Sequence, residues 1–392
     1  MLGTLIQNTK ERVTSIDALR GIVMLVMALD HARDFFSNFS GNLADFNQAG
    51  VALFLTRWIT HFCAPVFIFL IGTGMAIAIG RGKSKSEIAL FLLTRGLWML
   101  FLELTIISFA WTFDPTIFTH PLCLVIWAIG WAMIVLAGLI FLPKPFIFII
   151  GLIIVAGHNL LDGNEQALLG SLSWMHVQTL NVTLFGSSVV HFNILYPIIP
   201  LIGVPALGYV FGSVFFLSVK QREQWLWGVG FACIILFLIL RTINIYGDPS
   251  GWSYQNDVVF TILSFINCTK YPASLSYLLM TLGPAILLMI WLERHNNVIT
   301  RFFIVFGKVP FFYYILHLYL LRLLAILFSY LYYGQVEWVR VVLSTTLTSA
   351  LGYPLPVVFL AWIVAVAMLY PLCRWYGAFK ARHKDNIWLS YL

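Results

Sequence analysis

Ile16-Asp-Ala-Leu-Arg-Gly-Ile-Val-Met-Leu-Val-Met-Ala-Leu-Asp-His-Ala-Arg-Asp-Phe-Phe36 has the length of a membrane span, yet it carries Asp17, Arg20, Asp30, His31, Arg33 and Asp34. A helix needs about 20 mainly apolar residues to cross a bilayer. Positions 17, 20, 24, 27, 31 and 34 advance by alternating threes and fours, so on a helix they share one face. A membrane helix with a single charged stripe turns it toward a bundle interior or a water-filled cavity. Ionisable groups in such a place are functional candidates.

The rest of the chain supports a membrane setting. Hydrophobic residues make up 60% of the 392 and charged residues 10%, against about 45–50% and about 25% in soluble chains. The apolar runs are long and unbroken, without the period-two pattern of a barrel. The reading is an all-α polytopic membrane protein, a single domain over 1–392 embedded in a lipid bilayer. The net charge of +7 reads as membrane topology and gives no reason to expect a nucleic-acid partner. No cleavable leader is expected. Cys63, Cys123, Cys233, Cys268 and Cys373 are dispersed and form no CxxC pair, so neither a disulfide framework nor a metal site is expected.

Hydropathy predicts about ten spans, near 16–36, 51–79, 88–110, 121–141, 145–160, 194–218, 224–244, 270–292, 309–331 and 354–376. Segments 1–12 and 377–392 read as tails. Gly151 and Gly157 in the fifth span mark close packing or a break. The segment 258–267 is too short to span. Lys and Arg accumulate on one side: Lys10, Arg12, Arg81, Lys83, Lys85, Lys144, Lys220, Arg222, Arg294, Arg301, Arg374, Lys380, Arg382 and Lys384, against Arg33, Arg57, Arg241, Lys270 and Arg340 on the other. The positive-inside rule then puts both termini in the cytoplasm. His31, His61, His120, His158, His176 and His191 fall toward the outer face in that topology.

Asp34 lies three residues after His31, so the two side chains can meet on one helical face. A carboxylate bonded to one imidazole nitrogen fixes the tautomer and leaves the other nitrogen as a base. Asp30 is a second carboxylate at that end, and His61 is expected at the same depth on the next helix. On the outer side His120, His191, Lys270 and Tyr271 are candidates for holding an acceptor. On the inner side Arg81, Lys83, Arg95 and Lys308, with Arg20, form a basic rim suited to phosphate. In Phe306-Gly-Lys-Val-Pro-Phe-Phe-Tyr-Tyr-Ile-Leu-His317, Gly307 predicts a helix break and Pro310 a new first turn. Lys308 then sits beside a helix N-terminus, with Tyr313 and His317 on the following turns. These residues fit either an enzyme acting across the bilayer or a transporter of a polar or anionic solute with a proton relay in the first helix. Against the transporter, the halves show no inverted repeat.

Several stretches also resemble a known family. Arg12-Val-Thr-Ser-Ile-Asp-Ala-Leu-Arg-Gly-Ile22 with Asp30-His31, and Pro65-Val-Phe-Ile-Phe-Leu-Ile-Gly-Thr-Gly74, are similar to the opening of the heparan-α-glucosaminide N-acetyltransferase catalytic-domain family. Tyr196-Pro-Ile-Ile-Pro-Leu-Ile-Gly203, Asn267-Cys-Thr-Lys-Tyr-Pro272 and Phe306-Gly-Lys-Val-Pro310 resemble later blocks of its bacterial members. The resemblance implies a multi-pass bacterial inner-membrane acyltransferase. It implies cytoplasmic acetyl-CoA as co-substrate and transfer to an amine or hydroxyl of an amino sugar or glycan outside, with a homodimer as the quaternary expectation. Arg20, Arg95, Lys308, Tyr313, His317, Arg81 and Lys83 become candidates for the CoA side. The lysosomal pattern has asparagine late in the first helix and a histidine in the following loop. Here Asp30 replaces the asparagine and residues 35–51 lack histidine, so His31 or His61 must take the catalytic role.

Overall fold

The computed structural model describes residues 12–39, 41–177, 179–184, 188–335, 352–383, 386 and 389. Lys10, Arg340 and Lys384, used above for topology, lie outside them. In chain order the helices are α1 (Thr14–Phe36), α2 (Phe46–Thr60), α3 (Cys63–Gly80), α4 (Lys85–Leu102), α5 (Ser108–Thr112), α6 (Val125–Leu139), α7 (Lys144–Gly157) and α8 (Glu165–Leu169). They continue with α9 (Ile199–Phe211), α10 (Val219–Ile243), α11 (Val258–Ile266), α12 (Leu275–Arg294), α13 (Val298–Gly307), α14 (Pro310–Tyr333) and α15 (Leu355–Arg382). Among the described residues, eight helical runs are long and apolar enough to cross a membrane. The chain is a mostly helical, polytopic integral membrane protein.

Two of the ten expected spans fall outside that set of eight. The helix α1 is long enough, but it is more charged than the rest. The helix α6 has only 15 residues and is buried along most of its length. Both are buried among other helices along most of their length, a setting in which charge and shortness are tolerated. The helix α1 packs against α2, α3, α12, α13, α14 and α15, which makes it the axis of the bundle.

Local sequence explains the ends. Ser84 and Glu87 form a capping box at the start of α4. Ser274 caps α12 and Asp257 caps α11. The expected second span is broken at His61–Phe62 into α2 and α3. The last helix runs through Arg382, so the first six residues of the expected C-terminal tail are helical. The start of the expected fourth span is extended: β1 (Leu122–Cys123) pairs in parallel with β3 (Ser188–Ile194), which pairs antiparallel with β2 (Thr179–Leu184). This small sheet was not legible in an otherwise helical pattern.

A π-helical turn at Glu103–Ile107 sits between α4 and α5 and turns the buried Glu103 inward. Its carboxylate accepts the Leu124 amide at 2.8 Å, at the start of α6. A helix whose first amides lack a side-chain cap of their own is thereby closed from another segment.

Gly307 does end α13, as its position in the sequence predicts, but it also has a packing reason. A Cβ there would lie 1.8 Å from the Asp17 carbonyl oxygen. A Cβ on Gly21 would lie 1.9 Å from that of Phe303. The α1 and α13 backbones touch at this crossing, so only glycine fits on either side. Of the two glycines flagged in the fifth span, Gly151 packs against Gly203 of α9, while Gly157 faces open space. Gly21→Ala forces α1 and α13 apart and is expected to lower the melting temperature in detergent, at a cost of about 1–3 kcal/mol or more. An unchanged transition would contradict this crossing.

Candidate active site

His31 is near the end of α1 and is buried. Its Nδ1 lies 2.7 Å from Nε2 of His317 on α14. The two rings are within 8° of coplanar, the geometry an in-line N–H···N bond requires. His317 Nδ1 lies 2.9 Å from the Tyr313 carbonyl oxygen. A carbonyl only accepts, so His317 carries its hydrogen on Nδ1 and presents a lone pair on Nε2. His31 then donates from Nδ1, which leaves its Nε2 lone pair free. Trp111 presses edge-on against His31 with centroids 4.9 Å apart, and Tyr314 flanks it at 6.2 Å.

The expected pairing of Asp34 with His31 does not form. Asp34 accepts from Arg33 Nη2 at 2.8 Å, and His31 turns instead toward α14. Arg33 stands between Asp30 and Asp34 and pairs with both, which takes up the carboxylate that spacing alone offered to the imidazole. Asp30 also accepts from Thr60 Oγ1 at 2.8 Å and from Lys270 Nζ at 3.4 Å. Two carboxylates, one guanidinium and one ammonium sum to zero, which lowers the penalty of burying four charges together. Lys270 also lies over the rings of Tyr271 and Tyr196, 5.2 and 5.9 Å from their centroids.

His61 occupies the break between α2 and α3 and is fully buried. Neither of its ring nitrogens has a hydrogen-bond partner among the described residues. Its ring packs edge-to-face on Tyr277, whose hydroxyl donates to the His61 carbonyl at 2.9 Å. The Tyr277 bond and the Asp30–Thr60 bond tie this break to the C-terminal end of α1 through adjacent residues of one turn.

A cavity of about 240 Å³ runs beside the other half of α1. One set of its walls is cationic: Arg20, Arg95, Lys308 and Lys380. The remaining walls are apolar and rich in methionine, with Met24, Met27, Met99 and Cys63. Tyr314, the neighbour of His31, also lines it. A larger crevice of about 670 Å³ shares Lys308 and Lys380 with it and adds Arg12, Arg374 and His383. Lys308 belongs to the turn between α13 and α14. Its amide still bonds back to Ile304, and Val309 is the N-cap of α14.

The candidate residues thus separate into groups. His31, His317, Asp30, Asp34, His61 and Lys270 gather at the C-terminal end of α1. Arg20, Arg95 and Lys308 gather at the cavity. His317, expected among the cofactor residues, is bonded to His31, and Tyr313 contributes its carbonyl. Arg81 and Lys83 lie on the turn after α3 and line neither cavity. His120 and His191 stack on each other, 5.1 Å between centroids, beside the sheet. Tyr271 packs on Tyr196.

Sequence reasoning missed Arg33 as the arbiter between the two carboxylates, and it missed Thr60, Tyr196, Tyr277 and Lys380. Thr60 had a signal in its adjacency to His61. The others depend on contacts across helices.

No curated protein matches the chain. A family model described as heparan-alpha-glucosaminide N-acetyltransferase, catalytic, matches residues 12–246, a stretch that holds α1 through α10, the Asp30–His31 end of α1, His61, Arg20 and Arg95. That match covers more than half of the chain, and the chain belongs to this family of membrane acetyltransferases.

Proposed function

We propose that the protein transfers an acetyl group from acetyl-CoA to an amine or hydroxyl of an amino sugar or related glycan, with His31 as the general base. One observation carries the reading. A cavity with four cationic groups at its walls and an apolar interior runs along α1 to Tyr314, next to a histidine whose Nε2 is left free by its hydrogen bonds. The phosphates and adenine of CoA suit the basic crevice around Lys308, Lys380 and Arg12. The thinner pantetheine arm suits the apolar cavity. Arg20 and His31 are eleven residues apart, about 16 Å along a helix, so the phosphates and the thioester are held at opposite ends of one helical face.

In the proposed reaction His31 Nε2 takes the proton of the acceptor N–H or O–H. The acceptor atom attacks the thioester carbonyl carbon, the carbon–sulfur bond breaks, and the thiolate of CoA leaves and is protonated. His317 steadies the His31 ring from the far side and spreads the charge that forms on it. The ion-paired Asp30, with Lys270 and Arg33, sets the field beside the base. We place the basic end in the cytoplasm and the acceptor on the opposite face of a bacterial inner membrane, following the Lys and Arg bias.

Three outcomes follow in purified, detergent-solubilised protein. His31→Ala lowers turnover by about 10²–10⁴-fold, while the affinity for CoA, read by calorimetry, stays within about twofold. Unchanged turnover would remove His31 from the chemistry. Replacing Lys308 or Arg20 by Ala weakens CoA by about 10–100-fold, the worth of one charged hydrogen bond, without the same loss in turnover at saturation. Absence of any CoA binding in the wild type would overturn the acyltransferase reading and favour a transporter. Rapid mixing with acetyl-CoA alone releases no stoichiometric burst of CoA, because a general base forms no acyl-enzyme. A burst would assign His31 or His61 as an acyl carrier instead.

A further inference from the structure

Beyond the end of α7, the chain makes a 3₁₀ turn at His158–Leu161, a tight turn through Gly163 with positive φ, the helix α8, and a second 3₁₀ turn at Gly170–Met175. This path returns His176 to the residues it left. Its imidazole is fully buried and sits between two carboxylates. Nδ1 is 3.4 Å from Glu165 Oε1, and Nε2 is 3.8 Å from Asp162 Oδ1. One ring nitrogen and one oxygen from each carboxylate fall within 4.8 Å of one another. Donors on a tetrahedral ion with bonds of about 2.1 Å stand about 3.4 Å apart, so an ion bound through one nitrogen of His176 draws in the carboxylate that faces the other nitrogen by up to about 1.4 Å.

The chemistry calls for a cation there. A neutral imidazole donates from one nitrogen only. If Nδ1 donates to Glu165, the Nε2 lone pair faces the carboxylate of Asp162, and Nε2 has no hydrogen-bond partner among the described residues. The other tautomer turns the same repulsion onto Glu165. The neighbouring bonds favour a metal ligand. Asn159 Nδ2 donates to Asp162 Oδ2 at 2.8 Å, which holds the carboxylate with Oδ1 toward His176. Asn159 Oδ1 in turn accepts the Leu275 amide at 3.0 Å, so the orienting group is itself fixed. His158 lies alongside, its ring centroid 5.7 Å from that of His176.

We propose that Asp162, Glu165 and His176 form a site for one divalent cation of the Zn²⁺ or Mn²⁺ class, with Asn159 as the residue that orients Asp162. Two carboxylates and one imidazole are a borderline-to-hard donor set, which suits these ions better than a soft one. Trp174 and Met175, just before His176, pack on the Trp127 and Trp131 cluster, so the ion fastens this cover to the end of α7. The site uses none of the residues around His31 and stands apart from the acyltransferase reading.

The test uses the full-length, tag-free protein in detergent, stripped with chelator and dialysed. Titration with ZnCl₂ and with MnCl₂, followed by calorimetry and by melting temperature, is expected to give one saturable ion per chain and a higher melting temperature with at least one of the two. Glu165→Gln and His176→Gln are expected to weaken that ion by more than the 10–100-fold typical of losing an outer-shell partner, and Asn159→Ala by about 10–100-fold. Glu165 is partly exposed, so its variant reports even if His176→Gln fails to fold. No saturable ion in the wild type overturns the proposal. Equal uptake by wild type and Glu165→Gln overturns it as well.

Discussion

An apolar bundle has to bury the charges of α1, and this constraint fixes the rest of the structure. At one end Asp17 is held by Arg12 and Arg20. At the other, Asp30 and Asp34 are balanced by Arg33 and Lys270. At the second end Arg33 and Lys270 are buried, and removing one partner from a buried pair costs about 3–5 kcal/mol, so the neighbours of α1 there are not interchangeable. Thr60 must come from the end of α2 and Lys270 from the turn before α12. Both segments are drawn to the same corner by one carboxylate.

Between those two charged ends α1 is apolar, and there the cavity runs. The contact of Gly21 and Gly307 draws α13 against α1, which brings Lys308 to the cavity wall and α14 into line with His31. The Gly21–Gly307 crossing and the His31–His317 bond are therefore two points of one helical arrangement. The first positions Lys308 and the second holds the His31 ring. In the proposed reaction the substrate spans that interval, and the electrostatic cost of the charged corner is offset by having the base beside an ordered, net-neutral set of groups.

Much of this was legible in the chain. Hydropathy located the spans because lipid requires long apolar runs, and α1 stood out because it breaks that rule along one face. The break at Gly307 and restart at Pro310 followed from backbone chemistry. The His31–Asp34 pairing failed because helical spacing says which side chains can meet, and not which competitor is stronger. Arg33 is a better partner for a carboxylate than an imidazole is. The role of His317 was hidden for a different reason. It sits 286 residues from His31, and one sequence gives no period or spacing that ties two helices so far apart. The small sheet escaped because its strands are short and set among helices.

The family assignment and the geometry meet in one physical claim, that CoA lies along α1 with its phosphates at the cationic end and its sulfur at His31. A structure determined with CoA bound tests it most directly. The account predicts phosphate density among Arg12, Lys308 and Lys380, the pantetheine arm past Met24 and Met27, and the sulfur near the His31 ring. CoA bound elsewhere, or with its sulfur directed away from His31 toward the cationic end, would contradict it.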